Sequence, residues 1–294
     1  MSQPDTPAKR GRGRPRKALS QADEKLISDV KAELEKPPAA RMVAIVPSKG
    51  RPQNAARAIE AWLATRAPEV AGLTFVVEES DVEAYAGAIR EVFAGEPESW
   101  VQMLVTGAPG YAHGANWAAR HTLDVAPYPV HMAVQGDDHV PGTDGWAQRY
   151  CDELDALVAE LGVGMVYGDD GLRGEKLCTE WAVSWSWVGT LNRIIPALVG
   201  HLYSDTSVLD LAKAAGCARY LPDVSIRHMH PLASVDGKPA ADWDPQYRRV
   251  NSDAQRRDDH RIYLRWSTRP EQSDKAGLVN QAAKLRALRP VTQQ

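Results

Sequence analysis

From Met42 to Tyr167, short apolar runs alternate with longer segments whose apolar residues recur every three or four positions. Met42–Val46 is apolar throughout, the pattern of a strand covered on both faces. Leu73–Val77, Trp100–Val105, Val130–Gln135 and Val163–Tyr167 repeat it and predict four more strands. Between them fall a helix with Ile59, Trp62 and Leu63 on one side and another with Val82, Tyr85, Ile89, Val92 and Phe93, for which Asp81 is the expected N-cap. Two further helices are predicted, one around Asn116–Leu123 and one carrying Trp146, Tyr150, Leu154, Leu157 and Leu161. Strands alternating with amphipathic helices imply an α/β fold, a mostly parallel sheet flanked by helices.

The ends read differently. Residues 1–20 are rich in Gly, Pro, Arg and Lys and cannot build a core, so a disordered basic arm is expected. In residues 21–38, Leu26, Ile27, Val30 and Leu34 make a narrow helical stripe that Pro37-Pro38 ends. One main domain is expected over 39–270. Past about residue 170 the pattern weakens, with a helix over Thr206–Ala215, and residues 271–294 read as a partly disordered C-terminal tail.

The 294-residue chain is 44% apolar and 25% charged, which fits a packed globular protein. No uncharged apolar run approaches the ~20 residues of a membrane span, and no secretory signal is expected. Cys151, Cys178 and Cys217 are far apart and lack paired metal spacing, which suggests a reduced, cytoplasmic protein. The net charge of −3 is uneven: residues 1–17 hold six bases and one acid, whereas the rest holds 29 bases against 37 acids. An acidic body excludes nucleic-acid binding over the whole surface and confines it to the arm.

Ligands of open α/β sheets bind beyond the carboxyl ends of the strands. The first such end, Pro47-Ser48-Lys49-Gly50-Arg51-Pro52, offers phosphate contacts, or is simply a tight strand-to-helix turn. It lacks both the Walker and the dinucleotide patterns. The fourth, Gly136-Asp137-Asp138-His139, pairs two carboxylates that repel unless a cation neutralises them; Mg²⁺ and Mn²⁺ favour such oxygens. An acidic surface turn is the other reading, and the preferred one for Asp169-Asp170-Gly171. Asp205 before a helix reads as a cap or a reacting carboxylate, and His228-Met229-His230 as a structural pair or metal ligands.

Taken in order, the PSKGRP turn, a strand ending in Glu78-Glu79, GYAHGAN, GDDH, a late Asp-Thr and His-x-His-Pro resemble nucleotide-sugar glycosyltransferases of the GT-A fold. The closest pattern is that of the family 2-like enzymes of bacteria and their phages, over about residues 42–232. The resemblance implies a Mn²⁺ or Mg²⁺ ion held by Asp138 and by His228 or His230, with a share for His139. It implies a nucleotide-diphosphate sugar donor contacted by Pro47, Ser48, Arg51, Glu78 or Glu79, Asn116 and Asp137, and Asp205 as general base. The chain departs from the family in having Gly-Asp-Asp-His for Asp-x-Asp and no Glu before Asp205. Trp181, Trp185 and Trp187 would then stack on a sugar or base, unless the run is a half-buried strand.

Lys9–Lys17 resembles an AT-hook, with Arg12, Gly13, Arg14 and Pro15 as its core. A narrow Arg-Gly-Arg enters the minor groove of A·T-rich DNA, while flanking bases meet phosphates. This implies DNA as a partner, no membrane, and a hydroxylated base of phage DNA as the sugar acceptor. A phage-encoded enzyme would then work in the host cytoplasm. A virion protein or glycan acceptor, or a non-catalytic DNA-binding protein on the same scaffold, are the alternatives.

Overall fold

In the computed structural model of the chain, the residues described are 40–95, 97–107, 110–126, 129–197, 199–235, 238–268 and 273–287. The AT-hook-like arm and the helix expected over Gln21–Lys36 lie outside them.

Each predicted strand forms, within two residues at either end. In chain order the elements are β1 (Met42–Pro47), α1 (Pro52–Ala64), β2 (Ala71–Val77), α2 (Val82–Phe93), β3 (Val101–Val105), α3 (Tyr111–Val125), β4 (His131–Val134), β5 (His139–Pro141), α4 (Trp146–Leu161) and β6 (Met165–Asp169). Then come β7 (Trp181–Val183), α5 (Trp185–Leu191), α6 (Ser204–Ala215), β8 (Ala218–His228), α7 (Pro245–Val250), α8 (Asp253–Ser267) and α9 (Ser273–Ala287). The strand order is β3-β2-β1-β4-β7-β6-β8-β5. β3, β2, β1 and β4 run parallel; β7 is antiparallel to both its neighbours, β8 parallel to β6, and β5 antiparallel to β8. β5 starts a short turn after β4 yet ends the sheet four places away, so the sheet curls round on itself.

Alternate residues of β1 serve opposite layers, which is why its sequence is apolar without a break. Met42, Ala44 and Val46 pack with Ile59 and Trp62 of α1, Tyr85 and Ile89 of α2, and Trp146 and Leu154 of α4. Ile45 joins the other layer, with the alanines of α3, Trp187 and Val188 of α5, Val208 of α6 and Leu278 of α9. Trp62 lies parallel to Trp100, 6.2 Å between centroids, and edge-on to Trp146 at 5.4 Å. Such aromatic pairs add about 0.5–1.5 kcal/mol each beyond burial.

Three expectations are corrected. The tryptophans are not one strand: β7 ends at Val183 and α5 begins at Trp185, so residues two apart diverge around a helix. Trp181 and Trp187 are buried, and Trp185 is 37% exposed. Residues 273–287 of the expected tail form α9, which buries Leu278 and pairs Asp274 with Arg193 at 3.3 Å. Asp81 makes no side-chain cap for α2; its carboxylate instead accepts the Gly50 amide at 2.9 Å. Asp170 does make the expected turn, its carboxylate accepting the amides of Leu172, Arg173 and Gly174 at 2.6–3.0 Å.

Candidate active site

A cleft of about 1020 Å³ opens at the carboxyl ends of β1, β2 and β4, and α7 and α8 fold back along it. That is the upper end of the volumes that hold small-molecule ligands and cofactors. Its floor is built by two loops that the sequence singled out. After β1, Gly50 takes the left-handed φ of 67° and Pro52 opens α1 as its first residue, so the chain reverses sharply. After β4, Gly136 lies against the side chains of Asp138 and His139. A Cβ there would sit 2.7 Å from His139 Nδ1 and closer still to Asp138 Oδ1, so only glycine leaves both groups in place.

The two adjacent carboxylates have separate fates. Asp137 is fully buried and pairs with Arg51 at 2.7 Å, with the Ser48 hydroxyl donating to it and the Asn54 amide at 3.5 Å. Burial pushes its carboxyl up, against the Arg51 charge. It ties the first loop to the second and has little left for a ligand. Asp138 has no Lys or Arg partner among the described residues. Its Oδ1 faces His139 Nδ1 at 3.3 Å, its Oδ2 faces His228 Nε2 at 3.4 Å, and the Tyr247 hydroxyl donates to the same Oδ2. Burial works to raise this carboxyl, yet His139 and His228 together hold it well below the usual range.

Strand register explains the convergence. His139 and His228 are direct partners across the antiparallel β5–β8 pair, with ring centroids 4.3 Å apart. The Met229 amide, just beyond, donates to the Asp138 carbonyl at 2.8 Å. Asp138, His139 and His228 offer ligand atoms all within 4.8 Å of one another. His139 Nδ1 accepts the Gly136 amide at 3.0 Å, which in a neutral ring leaves the proton on Nε2, toward Thr179 at 3.3 Å. One carboxylate and two imidazoles so placed fit a divalent transition-metal ion, which would supply the missing positive charge.

His230 is not in this cluster. β8 ends at His228, the chain turns, and His230 Nδ1 accepts the Leu232 amide at 3.0 Å. Its ring stands edge-on to Tyr247 and Trp243, and burial, with the His228, Arg173 and Arg256 charges adding, lowers it to about 4. Asp205 lies in the first turn of α6 and lines the cleft, its carboxylate accepting the Thr206 amide at 2.7 Å; burial raises its pKa. The residue ahead of α6, Tyr203, holds φ at 67°, an uncommon conformation for an aromatic residue, and it lines the cleft beside Ser204 and Asp205.

Of the remaining expected donor contacts, Pro47, Ser48, Arg51 and Glu78 line the cleft, Glu78 paired with Lys49. Glu79 and Asn116 do not. Glu79 is exposed in the short helical turn after β2. Asn116 is buried, accepting the Ile194 and Ile195 amides at 2.8 and 2.9 Å and donating to the Ile195 carbonyl at 2.9 Å, which satisfies it against the loop after α5. Tyr247, Arg249 and Arg256 line the cleft and were not foreseen. Asp244, whose carboxylate accepts the Tyr247 amide at 2.8 Å, caps α7, and Arg51 lies 5.2 Å over the Tyr247 ring. The three cysteines are buried and unbridged, and no helix among the described residues is long and apolar enough to cross a membrane.

No protein-family model matches the chain, and no curated protein matches its sequence. Solved structures do. A mannosyltransferase from Pyrobaculum calidifontis, in complex with GDP-Man and Mn²⁺, superposes with a TM-score of 0.53 at 14% identity, over 90% of this chain and 77% of that one. A glucosyl-3-phosphoglycerate synthase from Mycobacterium tuberculosis, in complex with Mn²⁺, UDP and phosphoglyceric acid, gives 0.47 at 12% identity over 84% of each chain. The first of these likenesses shows the fold: this chain has a GT-A-like architecture.

Proposed function

We propose that this chain is a metal-dependent glycosyltransferase, moving a sugar from a nucleotide-diphosphate donor to a hydroxyl acceptor. The observation that carries the proposal is Asp138 between two imidazoles, at the strand ends of a GT-A-like sheet, in a cleft wide enough for a nucleotide sugar. Asp138, His139 and His228 would hold Mn²⁺ or Mg²⁺, and two nitrogen donors favour Mn²⁺. The bound ion supplies Lewis-acid charge to the donor diphosphate.

The side chains supply the rest. Pro47, Ser48, Lys49 and Glu78 border the nucleotide end, and Arg51 holds Asp137 so that the floor keeps its shape. Asp205 takes the proton of the acceptor hydroxyl as that oxygen bonds to the anomeric carbon. The bond from this carbon to the diphosphate oxygen breaks, and the nucleoside diphosphate leaves with the electron pair. A carboxylate raised by burial is the stronger base, which suits this role. The same raised value means more of it is protonated at mildly acidic pH, so turnover falls there.

The acceptor in this proposal is a hydroxylated base in DNA, of the kind a phage would carry. The reading rests on the AT-hook-like arm, whose Arg12-Gly13-Arg14-Pro15 core would seat in the A·T minor groove and raise the local concentration of acceptor. Full-length protein with Mn²⁺ and a panel of nucleotide sugars should release nucleoside diphosphate on hydroxymethylated DNA and not on unmodified DNA. Arg12→Ala with Arg14→Ala should slow this at low salt and limiting DNA. Transfer to a protein or glycan, with both DNAs inert, would replace the DNA acceptor and leave the transferase standing.

A further inference from the structure

Asp170 makes more hydrogen bonds than its turn requires. Its Oδ1 accepts the amides of Leu172, Arg173 and Gly174, and these three bonds are the turn. Its Oδ2 accepts the Thr179 hydroxyl at 2.8 Å, and its carbonyl accepts the His228 amide at 3.0 Å. The residue is buried, where a carboxylate is costly unless donors surround it. Four donors do so here, and the Thr179 hydroxyl is the one that a surface turn does not explain.

Thr179 carries the restraint on to His139. A hydroxyl has one hydrogen and a carboxylate only accepts, so the Thr179 hydrogen is committed to Asp170. Toward any other group Thr179 Oγ1 can only accept. That group is His139 Nε2, at 3.3 Å, which must therefore hold the proton of the neutral ring. The Gly136 amide, donating to Nδ1 at 3.0 Å, demands the same tautomer from the other side of the ring. Held at both nitrogens, the ring keeps Nδ1 3.3 Å from Asp138 Oδ1. Coordination through Nδ1 would give up the Gly136 bond and leave Thr179 as the hydrogen-bond partner of the ring. Asp170, one residue past β6, thus reaches both histidines: the main chain of His228 directly, and the ring of His139 through Thr179.

We propose that Thr179 and Asp170 are positioning residues, which hold the His139 ring in its Nε2–H form with Nδ1 turned to the metal position beside Asp138. This deepens the glycosyltransferase reading and rests on its metal site. Outer partners of a ligating imidazole set its tautomer and orientation, and losing one weakens metal binding by about tenfold to a hundredfold.

The test uses the full-length chain. Thr179→Val keeps the side-chain shape and removes the acceptor, whereas Thr179→Ser keeps the hydroxyl. Nitrogen NMR of histidine-labelled, metal-free protein should place the His139 proton on Nε2 in the parent and in Thr179→Ser, with the Nε2 resonance displaced in Thr179→Val. Mn²⁺ titrated by calorimetry should bind Thr179→Val at least about tenfold more weakly than the parent, and Thr179→Ser within about threefold of it. Asp170→Asn keeps an oxygen for the three turn amides but turns an NH₂ toward Thr179, so the hydroxyl is no longer obliged to accept. It should weaken Mn²⁺ in the same direction, and it carries the test if the valine variant does not fold. The proposal is overturned if the parent holds the proton on Nδ1, if it binds no Mn²⁺, if Thr179→Val binds the ion as the parent does, or if Thr179→Ser fails to restore it. Weaker Mn²⁺ binding in Thr179→Val, with no nucleotide bound by any form, would remove the transferase reading and leave the positioning role in place. Mn²⁺-dependent nucleotide binding that is unaltered in Thr179→Val would do the reverse.

Discussion

The hydroxyl of Tyr247 donates to the same Asp138 oxygen that faces His228. A helix capped by Asp244, far along the chain, thereby reaches the centre of the cleft and occupies an oxygen that a metal would also seek. A divalent ion held by that oxygen would have to share it with Tyr247, while the tyrosine ring keeps Arg51 stacked beside it.

Tyr247→Phe keeps the ring and removes the competitor. The variant should fold normally and bind Mn²⁺, without nucleotide, about threefold to tenfold more tightly, the worth of one net hydrogen bond of about 0.5–1.5 kcal/mol. Equal or weaker Mn²⁺ binding by calorimetry would show that the hydroxyl does not oppose the ion.

Asn116 holds structure rather than ligand. Asn116→Ala leaves two buried amides and a carbonyl after α5 without their partner. It should lower unfolding free energy by about 2–4 kcal/mol, since each orphaned buried group costs about 1–3 kcal/mol and the losses are not fully additive. Nucleotide affinity of the remaining folded protein should be unchanged. A variant of full stability with tenfold weaker nucleotide binding would return Asn116 to the donor site.

Glu180 gives the fold a pH dependence away from the cleft. Its carboxyl is buried, takes the Tyr150 hydroxyl and the Gly168 amide on one oxygen, and leaves the other unpartnered; burial pushes it up to about 7. The folded chain therefore holds this proton more tightly than the unfolded one, whose glutamate titrates near 4.5. Stability from this group is complete below about 4.5 and falls as pH rises to about 7, by about 3 kcal/mol. Glu180→Gln should flatten the loss between pH 5 and 8 in urea unfolding and exceed the parent in stability at pH 8. An unchanged slope would mean that Glu180 is ionised when folded at both pH values.

The sheet was legible because parallel strands buried on both faces leave unbroken apolar runs, and both cleft loops were legible because they end such runs. Asn116 was assigned to the donor by its place in a motif, but it lies two residues past Gly114, about 200° round α3, where the helix faces Ile194 and Ile195 rather than the cleft. The sequence implies for His139 only a share in the metal contact, because its pairing with His228 depends on a sheet curl that no local pattern records. Tyr247, Arg249 and Arg256 were hidden in a polar stretch without periodicity. The signal was there in Asp244-Pro245, an N-cap followed by a first-turn proline, which announces the short helix that carries Tyr247 and Arg249.

The most direct test of the glycosyltransferase account is calorimetric titration of the full-length protein with a panel of nucleoside diphosphates, with and without Mn²⁺, alongside Asp138→Asn. The account predicts that one nucleotide binds only when Mn²⁺ is present, and that Asp138→Asn abolishes this binding while unfolding at the parent's temperature or above. Folded parent protein that binds no nucleotide, or binds one equally well without Mn²⁺ and with Asp138→Asn, would contradict it.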